Sequence, residues 1–254
     1  MSDATTVGTV QWAMRTGGRL EPAERRRLVA DLARVHVDNV VGRLSVVVRL
    51  DPGRRAHVPA ERLVPPDSPL TRAAREAACH ALPTTLLNHS HRTYLFGRAL
   101  GELEEVEVDA ELLYAAALLH DTGLLHARGR EDFTLVSARL AGDVAEQVGL
   151  STASTQTLQT AITMHHSPRV TLAAGPVAYL LSAGAGVDVV GLRCWQLPRS
   201  TVAGAVAAHP REDFKRFFSN AWADEAARVP QGRARLLQRY GAFAVAVALA
   251  PFDE

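Results

Sequence analysis

The sequence predicts an all-α fold, and three observations carry that prediction. From Leu70 onward apolar residues recur at helical spacing in successive segments, capping and turn residues fall between the segments, and a single β-branched run, LSVVVRLDPG, departs from the pattern. The segments span 70–81, 84–104, 110–122, 132–148, 154–166, 175–189, 200–208, 211–227 and 231–249.

Taken in order, residues 22–35 (PAERRRLVADLARV) open with Pro22 at a first helical position, where a missing N–H costs nothing, and repeat Leu28, Val29, Leu32 and Val35 on one side. The run LSVVVRLDPG follows and ends on the turn signal Asp51, Pro52, Gly53, so a short strand or hairpin is expected there. In VPPDSP, residues 64–69, three prolines stop any preceding helix, while Ser68 and Pro69 make a cap and a start for the next. Asp109 caps the helix beginning at 110, and Gly123 and Gly149 close two of the later ones. The chain therefore divides into an N-terminal extension, 1–67, and an all-helical domain, 68–254.

Composition narrows the function. The 254 residues are 47% hydrophobic and 22% charged, and Lys plus Arg (28) almost balances Asp plus Glu (27). No extended positive field is available to draw in nucleic acid or an anionic membrane, so neither is expected as a partner. Cys79 and Cys194 stand alone, without metal-binding spacing or a disulfide framework, which fits a reducing cytoplasm. The N-terminus lacks the basic-then-apolar order of a signal peptide, and no run of about 18 apolar residues appears.

Against this background a few polar residues stand out inside apolar helices: His89 in TTLLNHSHRTYLFG, the adjacent His120 and Asp121 in AAALLHDTGLL, and Asp188 in VAYLLSAGAGVDVVG. Burying such groups without partners costs roughly 2–7 kcal/mol each. Two imidazoles and two carboxylates from three helices offset that cost if they share one divalent transition metal, Zn²⁺, Fe²⁺ or Mn²⁺, with a position left open to water. Adjacent side chains on a helix project about 100° apart, so His120 and Asp121 reach one ion only if it lies at their shared edge, a geometry that favours a helix end. The small residues SAGAG before Asp188 allow a close helix approach.

The order H, then HD, then D over consecutive helices resembles the HD-domain superfamily of metal-dependent hydrolases, from about Pro69 to Leu192. LLNHSHRTYLFG, DAELLYAAALLHDTGL and LLSAGAGVDVVG look most like its cyanamide-hydratase-like branch. The resemblance implies an HD-type helical bundle with His89, His120, Asp121 and Asp188 as metal ligands. It also brings forward His165 and His166 as a further ligand, proton donor or substrate contact, the alternative being that both cap the helix end. Arg92, three residues after His89, shares its helix face and is a candidate to bind an anionic or polar substrate or to pair with a carboxylate, the alternative being a solvated surface arginine. Only one such histidine segment follows, so one metal is expected rather than two. No Glu follows HD closely, which weakens a nucleotidase reading, and the GYP signature of cyclic-dinucleotide phosphodiesterases is absent.

The expected function is a hydrolase or hydratase that uses metal-activated water on a small nitrile-like or cyanamide-like molecule. The alternatives are a phosphohydrolase acting on a nucleotide or phosphomonoester, a non-catalytic ligand-binding regulatory module, and an iron- and O₂-dependent oxidative enzyme. The N-terminal extension is available to cover the pocket or to build a homodimer contact. His36, His57, His80, His91, His126 and His209 read as ordinary core or surface histidines, and of the three tryptophans Trp12 and Trp195 are candidates to close over a pocket.

Overall fold

A computed structural model describes residues 6–254. The described residues form twelve α-helices: α1 (Val10–Thr16), α2 (Pro22–Val47), α3 (Pro69–Ala81), α4 (Thr84–Leu103), α5 (Ala110–Leu119), α6 (Phe133–Gln147), α7 (Thr152–Met164), α8 (Pro176–Val190), α9 (Arg199–Ala208), α10 (Phe214–Arg228), α11 (Arg233–Tyr240) and α12 (Phe243–Ala248). Among them there is no strand, only one isolated bridge between Arg19 and Gly232. The fold is all-α. No described helix is long and apolar enough to cross a membrane.

The local signals explain most boundaries. The Ser68 side chain accepts from the Thr71 N–H at the start of α3, Asp109 accepts from the Glu111 and Leu112 N–H groups at α5, and Gly191 ends α8 in a left-handed conformation. Two expectations are corrected. The run LSVVVRLDPG is neither strand nor hairpin, because α2 continues without a break through Val47 and the chain then makes a short 3₁₀ turn at Pro52–Arg54. Residues 36–47 keep a helical packing face, with Gly42 seated against the Trp195 indole, and tertiary contact there overrides the β preference of the valines. The segment expected as one helix over 231–249 breaks at Gly241 and Ala242, where Ala242 takes a positive φ of 45°.

The most extensive helix pair is α4 with α8. A Cβ on Gly184 would stand 2.1 Å from the Thr93 carbonyl oxygen, and one on Gly97 would stand 2.6 Å from that of Leu180, so the two backbones touch. The helices run antiparallel in a fixed register, Gly97 across from Leu180 and Thr93 across from Gly184. One turn further on, the same register sets His89 across from Asp188.

The N-terminal helices pack on this bundle. Trp12 of α1 is fully buried under the Arg233 guanidinium and donates its indole N–H to Glu24 of α2 at 2.8 Å. Leu28 and Leu32 of α2 form a small cluster with Leu236 of α11.

Candidate metal centre

The α5 helix ends where the polar pair begins. His120 is its C-terminal cap, and DTGLL turns away immediately, with a Cβ at Gly123 only 2.1 Å from the Phe133 carbonyl oxygen. Leaving the helix there frees Asp121 to turn toward the same point as its neighbour. The Nε2 atoms of His89 and His120 are 3.2 Å apart, and each is 3.5 or 3.4 Å from Asp121 Oδ2. On the other side of that carboxylate, His165 Nε2 lies 3.5 Å from Oδ1. All of these side chains are buried.

Their tautomers follow from what sits behind each ring. His120 Nδ1 lies 2.7 Å from the Ala117 carbonyl, His165 Nδ1 lies 2.7 Å from that of Ile162, and His89 Nδ1 lies 2.7 Å from Asp188 Oδ2. Each acceptor requires Nδ1 to be the donor, which leaves a lone pair on every Nε2, the atom that faces Asp121. Two imidazole lone pairs 3.2 Å apart repel unless a cation lies between them. Both oxygens of Asp121 also lack a hydrogen-bond partner, although an unpartnered buried carboxylate is costly.

A divalent metal fits this donor set. A tetrahedral shell with arms of about 2.0–2.2 Å has edges of about 3.3–3.6 Å, and the His89, His120 and Asp121 atoms are separated by 3.2–3.5 Å. These three residues form the one group among those described that could hold a metal ion. Asp188, the fourth expected ligand, sits elsewhere, on the Nδ1 side of the His89 ring. Its carboxylate is taken up by His89, by a two-pronged pair with Arg92 (2.7 and 2.8 Å) and by Arg211 Nη1 at 2.9 Å. Arg92 also donates to the carbonyls of His209 and Pro210, and Arg211 donates to the Glu254 carboxylate. A carboxylate behind a ligand histidine fixes the ring and raises its basicity. Arg92 is therefore placed to hold Asp188, and it does not reach the cavity. Arg211 was not singled out from sequence, since nothing in the spacing of PREDF couples it to a residue 23 positions upstream.

The charges respond to one another. Burial pushes the Asp121 carboxyl up, but His120, His165 and His89 around it more than offset this and hold it below the usual carboxylate range. Burial alone would lower His120, yet Asp121 raises it. Burial lowers His89, with Asp188 offsetting only part, and pushes His165 down to about 3. His166, buried next to it, is pushed well below its ordinary value, and neither ring nitrogen has a partner. Burial also raises Asp188, while Arg92 and His89 outweigh that and hold it low.

A pH dependence follows. His89, His165 and His166 take up protons in the unfolded chain below about pH 6.5 but resist doing so when folded. The stability they contribute is present above that pH and is lost as pH falls, down to about 3 for His165. His120, raised, acts with the opposite sign, one group against three. Melting of chelator-treated protein between about pH 8 and 5 is expected to show a falling Tm, with a shallower slope in His165→Gln. A flat profile would contradict the protonation states given above.

The donors line one wall of a partly open cavity of about 140 Å³. His165 and His166 face it together with Ser167, and Ser182, Ala185 and Val189 of α8 continue the wall. The opposite side is built by residues far away in sequence: Leu32, Val35, His36 and Asn39 of α2, Phe218 and Trp222 of α10, and Phe243 and Ala246 of α12. The lining contains no arginine or lysine. Of the tryptophans, Trp222 reaches the cavity, while Trp12 and Trp195 do not line it. His36, read as an ordinary histidine, and Asn39 were missed; their one available signal was helical spacing from Leu32, which places them on its face.

Residues 86–188 match the HD domain family. The matched segment runs from the start of α4 to Asp188 and contains His89, His120, Asp121, His165 and His166. No curated protein matches the chain.

Proposed function

We propose, taking the HD domain at residues 86–188 as the premise, that this protein is a metal-dependent hydrolase or hydratase whose substrate is a small, uncharged molecule with an electrophilic carbon, of the nitrile or cyanamide type. The observation that carries the substrate class is the cavity: small, largely apolar and free of arginine and lysine side chains. A phosphoryl group calls for clustered Arg or Lys around the reacting centre. Arg92, the one guanidinium adjacent to the histidines in sequence, is spent on Asp188, and Arg128, Arg130 and Arg169 are not in the lining.

His89, His120 and Asp121 would hold the metal, which supplies a nucleophile at neutral pH by lowering the pKa of water from 15.7 toward about 7. The remaining work belongs to the chain. Asp188, clamped by Arg92 and Arg211, keeps the His89 ring turned so that Nε2 faces Asp121. His165 presents its Nε2 lone pair beside Asp121 Oδ1 on the cavity wall, where it can accept a proton from water and return it to the substrate nitrogen. Hydration of a nitrile balances in this way, with oxygen added to carbon, both protons of water retained and an amide formed. Phe218, Trp222 and Phe243 exclude bulk water, and Asn39, Ser167 and Ser182 offer polar contacts to an uncharged substrate.

The test is a screen of metal-loaded protein against cyanamide, short nitriles, nucleotides and phosphomonoesters, with Asp121→Ala alongside. Turnover of a nitrile or cyanamide that disappears in the variant is expected. Turnover of phosphate esters alone, lost in the same variant, would reject the substrate class while leaving the metal centre in place; equal activity in both proteins would reject the centre.

A further inference from the structure

Helix α2 carries two apolar faces. One packs inward through Leu28, Leu32, Val35, Asn39 and Gly42. On the opposite side Val37, Val40, Val41, Leu44, Val47 and Val48 point outward, each between 57% and 77% exposed. Their spacing, 37, 40/41, 44 and 47/48, repeats every seven residues, the pattern of a helix that packs along a second helix. A solvated face does not need six aliphatic side chains in twelve positions.

The size of the surface favours a partner of defined shape. Six such side chains expose on the order of 500–600 Å², the upper end for the largest patch on a monomeric protein. Arg43 donates to the Leu249 carbonyl, so Leu249 and Val245, a turn earlier on α12, lie along the flank of the stripe, and both are exposed. Together they approach the roughly 800 Å² per partner that a standard interface buries. Charge then selects the direction. The outward face toward the N-terminus of α2 bears Arg26, with Arg25 and Arg27 beside it, while Arg34 is paired with Asp31 at 3.0 Å. A parallel pairing would set these arginines against their own copies, while an antiparallel pairing overlays the apolar halves and sends the arginine-rich ends apart.

We propose that the outward face of α2 is the interface of a homodimer, with α2 packed antiparallel on α2 of a second copy about a two-fold axis near residues 42 and 43. Such an interface is self-complementary, so one stripe supplies both sides of the contact. It also bears on the cavity, because Leu32, Val35, His36 and Asn39 are on the other side of the same helix. The partner braces a wall of the site without entering it.

Light scattering coupled to gel filtration tests the assembly on the full chain. The expected mass is twice the chain's 27.4 kDa. Leu44→Glu and Val41→Glu, both at exposed positions, should each run as a single chain with unchanged helical circular dichroism. A wild-type chain that is monomeric at micromolar concentration, whether or not it sediments with phosphatidylglycerol vesicles, overturns the proposal, and so do glutamate variants that stay dimeric. Direction is read by oxidation in a Cys79→Ser background. Val41→Cys should link to its own copy, while Val37→Cys, about 16 Å from its copy along the helix axis, should not; a link at Val37→Cys alone would mean parallel packing and overturn the antiparallel arrangement.

Discussion

Asp121→Ala is expected to leave the protein folded and without its metal. Purified wild-type protein should carry about one divalent transition metal per chain by elemental analysis, and the variant close to none, with turnover falling to the uncatalysed background. The reason is local. Asp121 is the one anionic member of the group that could hold an ion, and it stands between His89 and His120 on one oxygen and His165 on the other. Neutral imidazoles alone leave the charge of a cation unbalanced in a buried place. The surrounding histidines more than offset the burial cost of that carboxylate, so the variant apoprotein should melt somewhat below the wild-type apoprotein, by calorimetry, while keeping its helical circular dichroism. Retention of stoichiometric metal in the variant would show that the ion is held elsewhere.

Asp188→Ala should behave in the opposite manner, with its main cost in stability. Its carboxylate is the counter-charge for Arg92 and one of two for Arg211, which keeps Glu254; both arginines are fully buried, and removing Asp188 leaves the Arg92 guanidinium uncompensated in the core. Breaking a buried pair in this way costs about 3–5 kcal/mol, which for a chain of this size lowers Tm by roughly 10 °C. Asp188→Asn keeps the shape and one acceptor for the His89 ring. It should fold better and still bind metal about 10–100-fold more weakly, because the His89 ring loses its charged partner. The comparison is decisive: normal metal affinity in a folded Asp188→Asn protein would mean that this carboxylate does not tune His89.

The two predictions mark where sequence reasoning reached and where it stopped. Helical spacing located α3 to α10 to within a few residues, and apolar context was enough to single out His89, His120, Asp121 and Asp188 as misplaced in a core. Spacing fixes the phase of a side chain on its own helix. It does not fix which side of a neighbour's ring that side chain meets, and so it brought Asp188 to the same point as Asp121 when the register of α4 on α8 carries it behind His89. The end of α2 was misread for a related reason. Its valines favour a strand when taken alone, whereas the contact of Gly42 with Trp195, far away in sequence, keeps the helix going. Arg211 and Glu254, which complete the cage around Asp188, carry no local signal because their roles exist only after the chain has closed.

The cavity also has a consequence for how such a protein diverges. Every donor atom facing Asp121 belongs to the matched stretch of 86–188, whereas much of the surface a guest would touch is contributed by the first forty residues and the last forty. Chemistry and selectivity are thus inherited through different stretches of gene. Exchanging the flanks between cousins should change which molecules the cavity admits while the donor cluster is left intact.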